Sequence, residues 1–346
     1  MKGLKLSHFP QIRNTREHAF WFNLGIIILI FIAAEVFSLI LERRADNESR
    51  RIRTEGVYEV LPDDLVGAKL KKNSSRQARK YVDGKLLYEV TITNDSNGLR
   101  ITPPCSSDCD TAILFFGDSF TYGEGVNDEE TMPYLVGTDV ADRYCVYNFA
   151  VHGYGTHQML SLIEHGIVAR TVRQKVKTVV YQALYPEHVH RLAGYYSWNA
   201  HGPQYEIGHG GKPVFMGRFD DTPENWLQRT LRLSSLGRRI LDYHPSAREH
   251  DKDLFVSMVI RSYEILREKD TTLAFHMIVW DWVDGADQER FNQLEDAGIR
   301  IHYIRDILPD GDQTNLKYRI SPDDKHPNAA TQQLIADYIL ENVIAS

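Results

Sequence analysis

Two short stretches far apart in the chain carry the residue types of nucleophilic catalysis. Phe116-Gly117-Asp118-Ser119-Phe120-Thr121-Tyr122-Gly123 offers a serine at a turn that glycine permits. Ser321-Pro322-Asp323-Asp324-Lys325-His326-Pro327-Asn328 offers an imidazole with acids two and three residues upstream. A serine hydroxyl is a weak nucleophile until a base takes its proton, and the base needs a third group to orient it. Ser119, His326 and Asp323 could fill those roles, with Asp324 a substitute for Asp323 because spacing does not choose between neighbours. Each stretch also has a plain structural reading. Asp and Ser cap helices and make turns, and Asp or Asn before Pro opens helices.

The elements that would have to hold these groups follow an alternating rhythm from Ala112 onward. Apolar runs suited to buried strands are 112–116, 145–149, 178–184, 272–280 and 299–304. Helical patterns lie at 129–140, 158–172, 252–269, 287–295 and 328–344. This is the signature of a parallel sheet covered by helices, where chemistry sits at the carboxyl ends of the strands. Ser119 follows the first of these runs, and His326 precedes the last helix.

Gly-Asp-Ser after the first strand and Asp-x-x-His-Pro before the last helix together resemble the SGNH (GDSL) hydrolase superfamily. Between them, Val146-Tyr147-Asn148-Phe149-Ala150-Val151-His152-Gly153-Tyr154-Gly155 resembles that family's second block. The likeness spans roughly 113–344 with its three blocks in order. It implies a flavodoxin-like three-layer α/β/α sandwich that cleaves or transfers acyl esters. By that resemblance Ser119 matches the nucleophile, His326 the base and Asp323 the orienting acid. Gly153 would join the Ser119 N–H in an oxyanion hole, and Asn148 would fix the loop. No G-x-S-x-G elbow surrounds Ser119.

The third block departs from the family pattern. Where an Asn is usual, Val180-Tyr181-Gln182-Ala183-Leu184 runs into Tyr185-Pro186-Glu187-His188-Val189-His190-Arg191. Losing one oxyanion donor costs about 10²–10³ in rate, so His188 is expected to point inward as its replacement, with His190 or Arg191 as substitutes. His188-x-His190 on an exposed loop, or as a metal pair, are the alternatives. Residues 191–250 break the alternating rhythm. They bring Tyr195, Tyr196, Trp198, His201, Tyr205, Phe215, Phe219 and Trp226, readable as a substrate cleft or as an insertion with its own small core. Trp280-Asp281-Trp282 could line the same cleft.

The N-terminal part is of another kind. Phe20–Leu41 is a 22-residue apolar run whose one formal charge is Glu35. As a helix it would be about 33 Å long, enough for a hydrocarbon core of about 30 Å. A cleaved signal peptide is the alternative, but the run is long and no clear small-residue cleavage site follows. Glu35 would be tolerated near one interface or paired with a partner helix. Basic residues nearly balance across the run: Lys2, Lys5, Arg13 and Arg16 before it, and Arg43, Arg44, Arg50, Arg51 and Arg53 after it. The three cysteines are Cys105, Cys109 and Cys145. A Cys105–Cys109 ring would suit an oxidising compartment, with zinc as the competing reading.

The expected organisation is a tail (1–19), a transmembrane helix (20–41), a charged linker (42–56), a β-rich lead-in (57–110) and an SGNH-like domain (111–346) with its insertion at 191–250. In the lead-in, 81–85 reads as a hairpin tip and 86–93 as a strand. With 40 basic against 47 acidic residues, net charge −7, no nucleic-acid partner is expected. Nor is a cofactor or metal. The chain reads as a single-pass protein of a bacterial inner membrane with a periplasmic serine esterase domain. Its substrate would be an acylated glycan or small ester, most readily an acetyl ester, with polysaccharide-assembly membrane proteins as partners. An O-acyltransferase that hands the acyl group to a sugar hydroxyl is the alternative. A catalytically weak scaffold is the alternative of another class.

Overall fold

The computed structural model describes residues 11–221, 226–241, 247–280 and 287–344. It contains two compact units, one formed by residues 51–223 and 244–346, the other by 1–50 and 224–243.

The larger unit is built on five parallel strands: β1 (Thr111–Phe116), β2 (Cys145–Asn148), β3 (Lys175–Leu184), β4 (Ala274–Trp280) and β5 (Ile299–Tyr303). Their order across the sheet is β5-β4-β3-β1-β2, the doubly wound flavodoxin-like arrangement. Strands covered on both faces read as unbroken apolar runs, and Ala112–Phe116 is buried throughout. One apolar cluster contains Leu114, Tyr181, Phe255 and Phe275. A second contains Phe115, Val180, Ile278 and Ile335. The expected helices are present with shifted ends. The pattern at 158–172 divides into Thr156–Glu164 and Ile167–Thr171, with Gly166 at φ 71° between them.

The lead-in forms an antiparallel hairpin, Ser74–Val82 with Lys85–Asn94, joined by Asp83 (φ 49°) and Gly84 (φ 77°). Two consecutive positive φ values suit the right-handed twist of the flanking strands. Arg100 bridges to Asn94 on one side and to Asn148 of β2 on the other, so the hairpin sheet continues past the β2 edge. Within the insertion, Pro203–Ile207 pairs with Pro213–Arg218. Tyr205 is buried there with its ring against Phe215.

In the smaller unit, a helix spans Gln11–Arg51, and its stretch His18–Asn47 is long and apolar enough by length and composition to cross a membrane. The charged stretch after Leu41 is helical to Arg51, and a strand, Ile52–Glu55, belongs to the larger unit. Two short helices, Trp226–Leu231 and Ser235–Leu241, complete the unit.

The cysteine expectation is corrected. Cys105 is bonded to Cys145, and Cys109 is a free thiol whose Sγ–H donates to the Thr111 carbonyl. The loop that feeds β1 passes the first residue of the neighbouring parallel strand, which brings partners 40 residues apart together.

Candidate active site

β1 is followed by Gly117, whose φ of 156° and close neighbour Thr121 require glycine: a Cβ there would sit 2.3 Å from Thr121 Oγ1. The chain then turns into a single helical turn, Ser119–Tyr122, capped by Asp118, which accepts the Phe120 N–H at 3.0 Å. Ser119 thus stands at the carboxyl end of β1. From the other end of the chain, a short hairpin pairs Arg319–Ser321 with Asp324–Pro327 just before the helix Ala329–Ile339. Gln332 of that helix ties the two parts together by donating to the Phe120 carbonyl and accepting the Met132 N–H.

These elements bring Ser119 and His326 into contact, with Ser119 Oγ 2.8 Å from His326 Nε2. His326 Nδ1 lies 2.6 Å from Asp324 Oδ1, which also accepts the His326 backbone N–H. With Nδ1–H donated to Asp324, Nε2 carries the lone pair that can accept the serine proton. The expectation that Asp323 orients the imidazole is therefore corrected to Asp324. Alternate residues of a strand share a face, so Asp324 and His326 point the same way, while Asp323 lies in the hairpin turn before that strand. The Asp323 side chain is 46% exposed and lies 3.8 Å from Arg51, whereas that of Asp324 is 1% exposed.

Two groups absent from the sequence reading complete the charge arrangement. Lys80, on the inward face of the lead-in hairpin, places Nζ 2.8 Å from Asp324 Oδ2 and 3.7 Å from Glu124 Oε1. Glu124, in the loop after the nucleophile turn, places Oε2 3.4 Å from His326 Nε2 and 2.9 Å from His152 Nδ1. The Tyr58 hydroxyl donates to Glu124 Oε1 at 3.0 Å. Arg100 fixes this loop by donating to the carbonyls of Tyr122, Gly123 and Val126.

Burial alone would raise the Glu124 pKa, but the charge of His326, the His152 hydrogen bond and Lys80 bring it down to about 2. Asp324 is likewise lowered against the cost of burial, by the His326 hydrogen bond and then by Lys80. For His326 burial pulls the pKa down, and Glu124 followed by Asp324 more than reverses this, leaving it raised. Burial lowers the pKa of His152, so it is neutral at pH 7. Two buried carboxylates thus face one fixed ammonium. The cluster is one positive charge short until His326 takes a proton.

Glu124, Asp324 and His326 also offer atoms close enough together to hold a metal ion. Lys80 already supplies a cation between the two carboxylates, and both ring nitrogens of His326 are engaged. This donor set suits proton transfer better than metal ligation.

The third-block expectation for His188 is corrected. Its Nδ1 is 2.7 Å from the Tyr181 hydroxyl, and its Nε2 is 3.4 Å from Asp118 Oδ2, with the ring fully buried. Burial lowers its pKa, so it is not the imidazolium that an anion would require. Arg191 does not serve as the replacement either. It donates to Asp118 Oδ2 at 2.8 Å and to the Tyr154 carbonyl, neutralising the carboxylate that caps the nucleophile turn. That charge holds Asp118 well below the usual carboxylate range, against the effect of burial. His190 stacks on Tyr195. Gln182, on β3, accepts from the Thr121 hydroxyl at 2.7 Å.

Gly153 follows β2 with φ 75°, and a Cβ there would sit 2.7 Å from the ring of Trp198, itself 57% exposed. Trp198 also stacks on Tyr196 and lies beneath the Arg191 guanidinium. Asn148 holds the second-block loop by accepting the Ala150 N–H and donating to the Thr121 carbonyl. Trp280 is buried edge-on against Phe120. Asp281 and Trp282 lie outside the described residues.

No family model matches the chain. No curated protein matches it. Among solved structures it is similar to a carbohydrate esterase whose active site displays divergent catalytic and non-catalytic binding functions. That match has 12% identity and a TM-score of 0.41, covering 85% of this chain and 86% of that chain. The psychrotrophic esterase EstA from Pseudoalteromonas sp. matches at 12% identity and TM-score 0.39, over 68% of this chain and 97% of that one. A carbohydrate esterase family 2 enzyme from Corynascus thermopiles matches at 13% and 0.36, over 76% of each.

Proposed function

We propose that the chain is a membrane-anchored serine esterase of the SGNH type, acting on acyl esters, acetyl above all, of a glycan or cell-envelope molecule. The observation that carries this reading is the continuous relay Ser119 Oγ to His326 Nε2 at 2.8 Å and His326 Nδ1 to Asp324 Oδ1 at 2.6 Å. Ser119 attacks the ester carbonyl as its proton passes to His326. The imidazolium so formed is neutralised by Asp324 and Glu124, and it returns the proton to the leaving alkoxide. Water, activated by the same imidazole, then releases the acyl group from Ser119. The Ser119 and Gly153 N–H groups are the proposed oxyanion donors. A hole with two backbone donors is sufficient for the tetrahedral intermediate, at a lower rate than one with three.

The apolar helix supports the anchored part of this reading, and the Cys105–Cys145 disulfide supports an oxidising compartment. The test is fluorophosphonate labelling of the full-length chain. Wild type is expected to label stoichiometrically and to hydrolyse a short acyl ester, while Ser119→Ala does neither at an unchanged thermal midpoint. A wild-type chain that folds but neither labels nor turns over would refute the reading.

A further inference from the structure

Glu35 is the one formal charge in the apolar run, and it is not left unpartnered. Its Oε1 accepts the Ser235 N–H at 2.7 Å and its Oε2 accepts the Leu236 N–H at 2.8 Å, at the start of the short helix Ser235–Leu241. Seven residues on, Glu42 accepts two bonds from Arg238 Nη2 and one from Arg238 Nε. Between them lies Ser38, 2% exposed in a helix whose apolar side chains are otherwise largely exposed. Glu35, Ser38 and Glu42 fall at i, i+3 and i+7, one face of the helix. This polar stripe is the face that residues 226–241 cover.

The covering segment, Trp226-Leu227-Gln228-Arg229-Thr230-Leu231-Arg232-Leu233-Ser234-Ser235-Leu236-Gly237-Arg238-Arg239-Ile240-Leu241, contains seven large apolar residues, four arginines and no acid. It turns back on itself tightly: a Cβ at Gly237 would lie 2.0 Å from the Leu231 carbonyl oxygen. Four of its apolar side chains are exposed, Trp226 at 76%, Leu227 at 49%, Leu233 at 84% and Ile240 at 58%, while Leu231, Leu236 and Leu241 are half-buried. Glu35 lies six residues before Leu41, so the bonds to Ser235 and Leu236 form about 9 Å inside the end of the apolar run. A segment held there meets lipid before it meets water. Apolar side chains with arginines and no acids suit the boundary between acyl chains and phosphate headgroups.

We propose that residues 226–241 lie in the membrane at that boundary, docked on the anchor helix through Glu35 and Glu42, as a second membrane contact of the same chain. The proposal rests on the anchored reading of 20–41. The bilayer that the helix crosses is the occupant of the exposed apolar face.

The test uses the full-length chain with Cys109→Ser, reconstituted in phosphatidylcholine/phosphatidylglycerol vesicles. An environment-sensitive fluorophore is placed on Leu233→Cys or Ile240→Cys, with Phe31→Cys as the anchor reference and Lys85→Cys as the aqueous one. Leu233 and Ile240 labels are expected to be quenched by acyl-chain spin-labelled lipid at least half as strongly as Phe31, and several-fold less by iodide than Lys85. Labels at Leu233 and Ile240 that iodide quenches like Lys85, while Phe31 remains lipid-quenched, overturn the proposal and leave the anchor standing. A Phe31 label in water removes the anchor and the proposal together. Adding Glu35→Ala should raise iodide quenching at Leu233 at least twofold, and an unchanged value overturns docking through Glu35.

Discussion

Replacing Glu124 with glutamine tests the charge argument at the candidate site directly. The amide keeps an acceptor for the Tyr58 hydroxyl, and the neutral His152 can meet the new N–H by changing tautomer, so the fold is retained. What is lost is a negative charge 3.4 Å from His326 Nε2. With charge centres about 4 Å apart and an effective dielectric near 20, two unit charges attract by about 4 kcal/mol. A transition state with the serine proton half transferred realises about half of this, roughly 2 kcal/mol, or about 30-fold in kcat/KM. The sign of the pH effect follows from the same contact. Glu124 raises the His326 pKa, and the base works only when neutral, so the rising limb of the profile sits above that of an isolated imidazole. Removing Glu124 moves that limb to lower pH while the plateau falls. Steady-state hydrolysis of a short acyl ester from pH 5 to 9, with thermal midpoints as a control for folding, measures both effects. A folded Glu124→Gln with plateau and limb both unmoved would refute the reasoning and leave Glu124 a packing residue.

Three further outcomes follow from particular contacts. Asp324→Asn should lower kcat by about 10³–10⁴, because the imidazole loses its charged partner and its tautomer is no longer enforced, while Asp323→Asn, a surface pair, should stay within about twofold. Lys80→Met should lower stability by about 3–5 kcal/mol in denaturant titration, since it leaves Asp324 and Glu124 buried without their ammonium; an unchanged midpoint would mean the carboxylates find another cation. In protein from an oxidising compartment, denaturation without reductant should expose one alkylatable thiol per chain, Cys109, and reduction should expose three. On the chain-entropy model, closing the 40-residue Cys105–Cys145 loop is worth about 4 kcal/mol of stability.

The parallel sheet was legible because strands buried on both faces must be apolar throughout, as in Ala112–Phe116, and because helices of amphipathic period lie between them. The contact of Ser119 with His326 could be anticipated because serine and histidine, the residue types of a nucleophile and its base, fall at loop positions after a strand and before a helix. Asp324 was not separated from Asp323 because 321–328 reads as a loop and helix cap. Once 324–327 is a strand, the two-residue period puts Asp324 on the face of His326 and leaves Asp323 in the turn. Cys105 was paired with Cys109 on spacing, whereas its partner is set by which strand lies beside β1. His188 was assigned to the oxyanion hole for want of any sign that Asp118 is buried. A buried carboxylate needs neighbouring donors and cations, and Arg191 and His188 are where the chain finds them.

Lys80 and Glu124 show a different limit. Lys80 sits in phase with buried Ala78 on an alternating strand, an inward charge that a strict reading of period two could flag. Its partner is 244 residues away, and no pattern along the chain connects them. The consequence is that the lead-in is part of the candidate site rather than an appendage to it. Lys80 holds the acid of the relay, Tyr58 holds Glu124, and Arg100 clamps the loop that carries Glu124 to the nucleophile turn. A site with two carboxylates and one ammonium would repel a second anion and favour a neutral ester over a charged one. It also stabilises the imidazolium at the moment it forms. On the proposed reading, the one fixed cation of the site therefore comes from a strand that precedes β1 in the chain, and it faces Asp324 and Glu124 only when the hairpin 74–94 is folded against the sheet.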